Sequence, residues 1–201
     1  MAIIFTDLLQ KGIDRGIVPA KTQEARDWFR EAARNVPARK VSPTRVITQA
    51  QVTQGRQKTR IGGMYLFGYD PKTKKDLPYY DTFPLIFPIE PTEDGFLGMN
   101  MHYLPLRQRA ILMDALFDLT NNQKYDETTR LRLSYNILKS SSKYRLFEPC
   151  LKRYLNSHVK TRFVQIPADQ WDIALFLPMD RFIKANRTKV YSDSLKRVRT
   201  R

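Results

Sequence analysis

Apolar positions in the first third of the chain recur at helical spacing. Ile4, Leu8 and Leu9 predict a short helix over 3–15, ended by Gly12 and Gly16. Thr22 is a natural cap for a second helix through Asn35, with Ala25, Trp28, Phe29, Ala32 and Ala33 in one stripe. The periodicity then lapses. Residues 36–60 hold two prolines, six basic residues and few large apolar ones. They read as an extended basic arm, with a short strand around Arg45–Ile47.

Between Gly62 and Leu106 the pattern turns to short runs of large side chains separated by turns. Met64–Tyr69, Phe83–Ile89 and Phe96–Tyr103 read as strands. The sequence "DPKTKK" from Asp70 is a turn. "PTEDG" is a hairpin, with Asp94-Gly95 supplying positive φ, and Gly98 marks a bulge or a close backbone approach. Helical spacing returns over Leu106–Leu119, through Ala110, Met113, Leu116 and Phe117. It continues from Thr128 or Thr129 through Leu131, Leu133, Tyr135, Ile137 and Leu138. Glu148–Val159 is expected as a further helix, Thr161–Ile166 as a strand, and Pro167–Leu177 as a helix carrying Trp171, Ala174 and Leu175. The expected architecture is α+β: a small SH3-like β-barrel with flanking helices and extended basic arms. Its parts are N-terminal helices and a basic arm at 1–60, the barrel at 61–105, a helical region at 106–186 and a basic C-terminal tail at 187–201.

Charge changes this picture. The formal net charge of the 201 residues is +15. Residues 1–60 carry 12 basic and 5 acidic side chains, whereas 61–127 carry 6 and 10. The excess returns in 128–186, with 11 and 4, and in 187–201, with 6 and 1. A polyanion is the first partner such an excess suggests, and the contacts belong to the ends of the chain rather than its mildly acidic centre. Candidate phosphate contacts are Arg39, Lys40, Arg45, Arg56, Lys58 and Arg60 in the arm. Lys152 and Arg153 join them, with Lys196, Arg197, Arg199 and Arg201 in the tail. Such a set predicts affinity for double-stranded DNA without sequence specificity.

The chemistry of a site is sparse. Cys150 is the one cysteine, which excludes an internal disulfide, and with His102 and His158 it makes no zinc-ligand spacing. No phosphate-binding loop motif is present, and no metal or other cofactor is expected. No run is long and apolar enough for a transmembrane helix, and the N-terminus does not read as a signal peptide. Asp70, Asp76, Asp81 and Lys72 supply the residue types of a metal-dependent nuclease, but the first and third are ordinary turn formers, and no enzyme is expected. His102 reads as a structural histidine bonded to a loop carbonyl, and His158 as a helix-end cap or solvated. The rings of the glycine-rich centre read as core rather than a base-stacking platform, with Tyr79, Tyr80 and Phe83, and Trp28 in the N-terminal region, as candidate subunit-interface residues.

The segment "LPYYDTFPLIFPIEPTEDGFLGMNMHYLPLRQRAILMDAL", Leu77 to Leu116, resembles a small virion protein of T-even-type contractile-tailed bacteriophages and their cyanophage relatives. So does "IPADQWDIALFLPMDRFIKAN". The resemblance covers about half the chain. It implies a non-enzymatic particle component, assembled in the host cytoplasm, that binds other virion proteins. It also implies a place either at the head–neck, near the packaged DNA end, or in the tail or baseplate without DNA contact. A dedicated nucleic-acid-binding role in packaging or end protection is the alternative.

Overall fold

The computed structural model describes residues 4–18, 22–54, 61–120, 124 and 126–199. Seven helices are described: α1 (Ile4–Ile13), α2 (Gln23–Arg34), α3 (Pro43–Gln54), α4 (Leu106–Thr120), α5 (Glu127–Ser141), α6 (Trp171–Phe176) and α7 (Arg187–Arg199). The strands are β1 (Met64–Leu66), β2 (Tyr80–Asp81), β3 (Leu85–Thr92), β4 (Gly95–Asn100), β5 (Leu151–Leu155), β6 (Val164–Ile166) and β7 (Phe182–Ile183). Five of them form one antiparallel sheet in the order β5-β4-β3-β1-β6, and β2 pairs with β7 in a separate ribbon.

The fold is thus α+β, but the sheet is open and the expected SH3-like barrel is not formed. Only β1, β3 and β4 of the five sheet strands come from 61–105. The two edges, β5 and β6, come from residues 151–166 and do not meet. Closure needs strands long and tilted enough to bring the edges together. Here β1 and β6 are three residues each.

Both faces of the sheet are buried. Met64, Leu66, Leu85, Phe87, Ile89 and Met99 face the main core, together with Leu116, Leu138, Ile173 and Leu175 from α4, α5 and α6. On the other face Tyr65, Phe67, Tyr69, Phe96 and Tyr154 form a ring cluster closed by Val159 and Phe163. Phe67 is its hub, meeting Tyr69, Phe96, Tyr154 and Phe163 with centroids 4.6–6.1 Å apart. Alternation of side chains along β1 and β3 places successive residues on the two faces. A bulge between Pro88 and Glu90 shifts the β3–β4 register, while Leu85, Phe87 and Ile89 keep the alternation that places them on the main core. The expected irregularity at Gly98 lies on the partner strand opposite this bulge.

Three further expectations are corrected. Residues 43–54 of the supposed extended arm form α3. Ser42 accepts from the Arg45 amide, Pro43 occupies the first helical turn, and Val46 and Ile47 are buried where α3 packs on β6. The expected helix at 148–159 is the edge strand β5. Leu151, Tyr154 and Leu155 fit either period, and the unpaired edge of β4 decides between them. The basic tail is α7, capped by Asn186 and docked through Val190 and Ser194.

Helix α2 buries charge. Arg26, 1% exposed, and Arg30 both donate to Asp172 on α6, at 3.1 and 2.6 Å, and to Asp114 on α4, at 2.6 and 2.9 Å. Two guanidiniums on two carboxylates keep each charge paired as the three helices close on one another.

Gly95 does not take the positive φ expected of it. It is required for a different reason: a Cβ there would overlap the Tyr154 carbonyl oxygen and crowd the Leu155 Cα across the β4–β5 pair. Neither group is the movable end of a side chain. Gly95→Ala is expected to destabilise the protein by at least about 2 kcal/mol through forced separation of the two strands, read as a lower urea midpoint at unchanged slope.

Candidate nucleic-acid interface

A groove of about 700 Å³ opens beside the edge strand β5. One wall is the 69–80 segment, the opposite wall is β5 with Pro149, and α7 contributes Ser194 and Arg197. Each wall has its own support. The 70–80 loop is held by Lys184, whose ammonium donates to the carbonyls of Lys74, Lys75 and Leu77 at 2.8, 2.8 and 3.0 Å. Lys184 has φ 69°, the left-handed conformation rare for a residue with a side chain. Lys74 adds an exposed pair with Asp70 at 2.9 Å.

The floor is organised by Asp81, which is 4% exposed. Its carboxylate accepts from the Phe83 and Arg181 amides at 3.1 and 3.2 Å. It also accepts from Asn100 Nδ2 at 3.3 Å and pairs with His102 Nδ1 at 2.7 Å. Asn100 in turn donates to the Tyr154 hydroxyl at 3.0 Å and accepts from the His102 amide. One carboxylate thereby joins the β2–β7 ribbon, the end of β4 and, through Asn100, β5. His102 is structural as expected, but its partner is this carboxylate rather than a loop carbonyl. Its Nε2 is buried without a hydrogen-bond partner among the described residues. His158 lies in a short turn and bonds through Nδ1 to the Asp70 carbonyl at 2.8 Å.

Rings and cations line the opening. Tyr79 lies against Tyr103 and Phe182 at 6.0 and 6.4 Å. The Lys152 ammonium sits 4.2 Å from the Tyr103 ring centroid. No carboxylate pairs with Lys152 among the described residues. Burial, with help from Arg197, lowers its pKa to about 8. Burial likewise raises the Tyr79 and Tyr103 hydroxyls, so both rings stay neutral. Cys150, beneath the strand, is pushed up to about 12 by burial. Arg197 and Lys72 are exposed and have no ion-pair partner among the described residues. Arg153 is exposed and paired with Asp94 at 2.7 Å.

Of the candidate phosphate contacts, the structure brings Lys152, Arg153 and Arg197 together at this groove, beside Tyr79 and Tyr80. Lys196 and Arg199 are exposed on the same helix as Arg197. Arg39 and Lys40 lie in an exposed turn before α3. Arg45 is on α3, which packs at the β6 edge, across the sheet from β5. Arg56, Lys58, Arg60 and Arg201 lie outside the described residues. Phe83 packs half-buried against the core, and Trp28 packs edge-on to Phe29 beneath Arg15. The sequence reading missed Lys72 and Tyr103 as groove residues and Lys184 as the loop clamp, because all three depend on pairings far apart in the chain. The nuclease carboxylates do not converge: Asp81 is consumed by the floor and Asp70 by Lys74. Among the described residues no three His, Cys, Asp or Glu side chains form a group able to hold a metal ion.

The family model of the phage T4 terminal DNA protecting protein matches residues 5–198. The chain belongs to that family. It is accordingly a bacteriophage protein associated with DNA ends, and the T4-type phage kinship agrees with that part of the resemblance noted over Leu77–Leu116. No curated protein and no solved structure matches it significantly. No helix among the described residues is long and apolar enough to cross a membrane.

Lys184→Met is expected to release the 74–77 carbonyls while leaving the sheet intact. Hydrogen exchange should quicken by about tenfold or more in the 70–80 loop, with strands β3 and β4 unchanged, because loss of the clamp lowers only the local opening free energy.

Proposed function

We propose that this protein binds the ends of linear double-stranded phage DNA through the groove beside β5 and shields them, acting without enzymatic activity as a constituent of the particle near the head–neck. The observation that carries this reading is the groove itself: Lys72, Lys152 and Arg197, none with a carboxylate partner among the described residues, converge with Tyr79, Tyr80 and Tyr103. The chain that builds it matches a DNA-protecting family over nearly its whole length. Cations lacking internal partners are available to phosphate, and release of the DNA's counterions makes such contacts favourable. The outer face of α7, with Lys196, Arg197 and Arg199, extends the positive surface beyond the groove mouth. The tail or baseplate placement has no observation in its favour comparable with the family match.

The decisive comparison is between a blunt linear duplex and the same duplex with both ends closed by hairpin loops. The open form should bind more tightly and be spared by an added exonuclease; equal affinity for the two forms would overturn the reading. Each phosphate contact contributes about one unit to the salt dependence. Lys152→Met with Arg197→Met is therefore expected to flatten the plot of log affinity against log salt by about two units, with the melting temperature held close to that of the parent.

The same binding should depend on pH with a defined sign. The free protein loses the Lys152 proton as pH rises through about 8. A phosphate beside the ammonium favours the charged form, so above that pH binding takes up a proton. Apparent affinity should fall as pH rises from 8, by at most about tenfold per unit. Lys152→Met should abolish that fall, as titration in a fluorescence binding assay would show.

A further inference from the structure

We infer that the groove holds one unstacked terminal nucleotide of the DNA, its base against the tyrosines and its phosphate on Lys152 and Arg197. This rests on the end-binding reading and gives it a mechanism. Size is the first reason. A cavity of about 700 Å³ falls in the range of about 300–1,000 Å³ that encloses small ligands. A nucleotide enters such a space; a double helix does not.

The lining is the second reason. Tyr79 and Tyr80 are half-buried, which leaves part of each ring open to the groove, and Tyr103 forms the inner surface beneath Lys152. Burial keeps the Tyr79 hydroxyl protonated, so its ring meets a base as a neutral π-surface, and the buried Tyr103 ring backs it. Stacking on such rings offsets the loss of base–base stacking, which is least unfavourable at a terminal pair with one stacked neighbour. Lys152 lies over the Tyr103 ring and Arg197 lines the same groove, beside Tyr79 and Tyr80, where a phosphate would sit when its base is seated.

The floor is the third reason, and it sets specificity. Asn100 uses both amide hydrogens, on Asp81 and on the Tyr154 hydroxyl, and its oxygen accepts from the His102 amide. Asp81 is fully engaged with four donors. The polar groups at the bottom of the groove are committed to one another, so they leave little with which to read a base edge. The pocket therefore accepts any terminal base.

The test uses the full chain and four duplexes of one length: a matched blunt end, an end with a mismatched terminal pair, an end whose terminal pair is covalently cross-linked, and a hairpin-closed end. A mismatch weakens the pairing that binding must undo, so affinity should rise roughly tenfold over the matched end, equivalent to about 1.4 kcal/mol. The cross-linked end should bind about as weakly as the closed one. The identity of the terminal base should change affinity little. Tyr80→Leu, checked for an unchanged melting temperature, should erase the preference for the mismatched end while keeping the salt dependence. Matched, mismatched and cross-linked ends that bind alike, all more tightly than the hairpin, would overturn the unstacking inference and leave end binding standing. No preference for any open end over the hairpin would overturn both.

Discussion

The groove depends on the carboxylate of Asp81. Almost buried, it satisfies two backbone amides, one side-chain amide and one imidazole. Those donors belong to the loop after β2, the approach to β7, the end of β4 and the turn that follows it. Thr82 adds a direct link, its amide and hydroxyl donating to the Arg181 carbonyl at 3.0 and 3.1 Å, but β2 and β7 are two residues each and could not persist as an isolated ribbon. The carboxylate makes the ribbon an extension of the sheet. Through Asn100 and the Tyr154 hydroxyl the same network reaches the edge strand that carries Lys152. A carboxylate buried this completely is tolerable because the four donors replace the water it loses.

How the cations are used separates those that hold the fold from those that can meet a partner. Arg26 and Arg30 are consumed by Asp172 and Asp114. Arg109 is fully interior, donating to the carbonyls of Leu104, His102 and Leu175 and to the Tyr191 hydroxyl. Lys184 clamps a loop, and Arg187 pairs with Asp180. Net charge of +15 therefore overstates the positive surface offered to a polyanion. Of what remains among the described residues, Lys72, Lys152 and Arg197 gather where α7 and β5 meet the 70–80 loop, while exposed cations such as Arg39, Lys40 and Arg107 lie elsewhere. Lys152 is the intermediate case: the Tyr103 ring partly offsets its desolvation, yet burial and the nearby Arg197 still hold its pKa down at about 8.

Much of the fold was legible in the chain because the deciding interactions are local. The Thr22 cap with the stripe from Ala25 to Ala33 gave α2, and the short alternating runs gave β1, β3 and β4. Two failures were also local and could have been read. "SPTR" at 42–45 places a capping serine before a proline suited to the first helical turn, and Asn186 precedes Val190 and Ser194 at helical spacing. Few large apolar residues hid both helices behind their charge. The β5 segment was different: Leu151, Tyr154 and Leu155 satisfy either period, and only the unpaired edge of β4, some 50 residues earlier, selects the strand. The candidate site inherited that error. Lys152 and Arg153 were placed on a helix, so their approach to Tyr79, Tyr103 and Arg197 could not be seen. The barrel failed for a related reason: the three strands read between Gly62 and Leu106 were expected to close on themselves, whereas the sheet takes both its edges from residues 151–166.

A protein that attends to DNA ends meets a discrimination problem that charge alone does not solve. Phosphates are spaced evenly along the duplex, and cations that contact them bind the middle as readily as the terminus. An end differs in two respects: its last base pair has one face without a stacked neighbour, and that pair opens more easily than any other. A surface selective for ends must therefore offer something that only an opened pair can use. On the proposed reading, the tyrosine rings beside Lys152 and Arg197 offer that: a ring face can take a base only once it has left the duplex stack, and the cations then meet its phosphate. On this reading the aromatic centre divides its work: Tyr65, Phe67, Tyr69, Phe96 and Tyr154 close the far face of the sheet. Tyr79 and Tyr80, half-buried at the margin beside Asp81, are left to meet a base, and Tyr103 backs them from within.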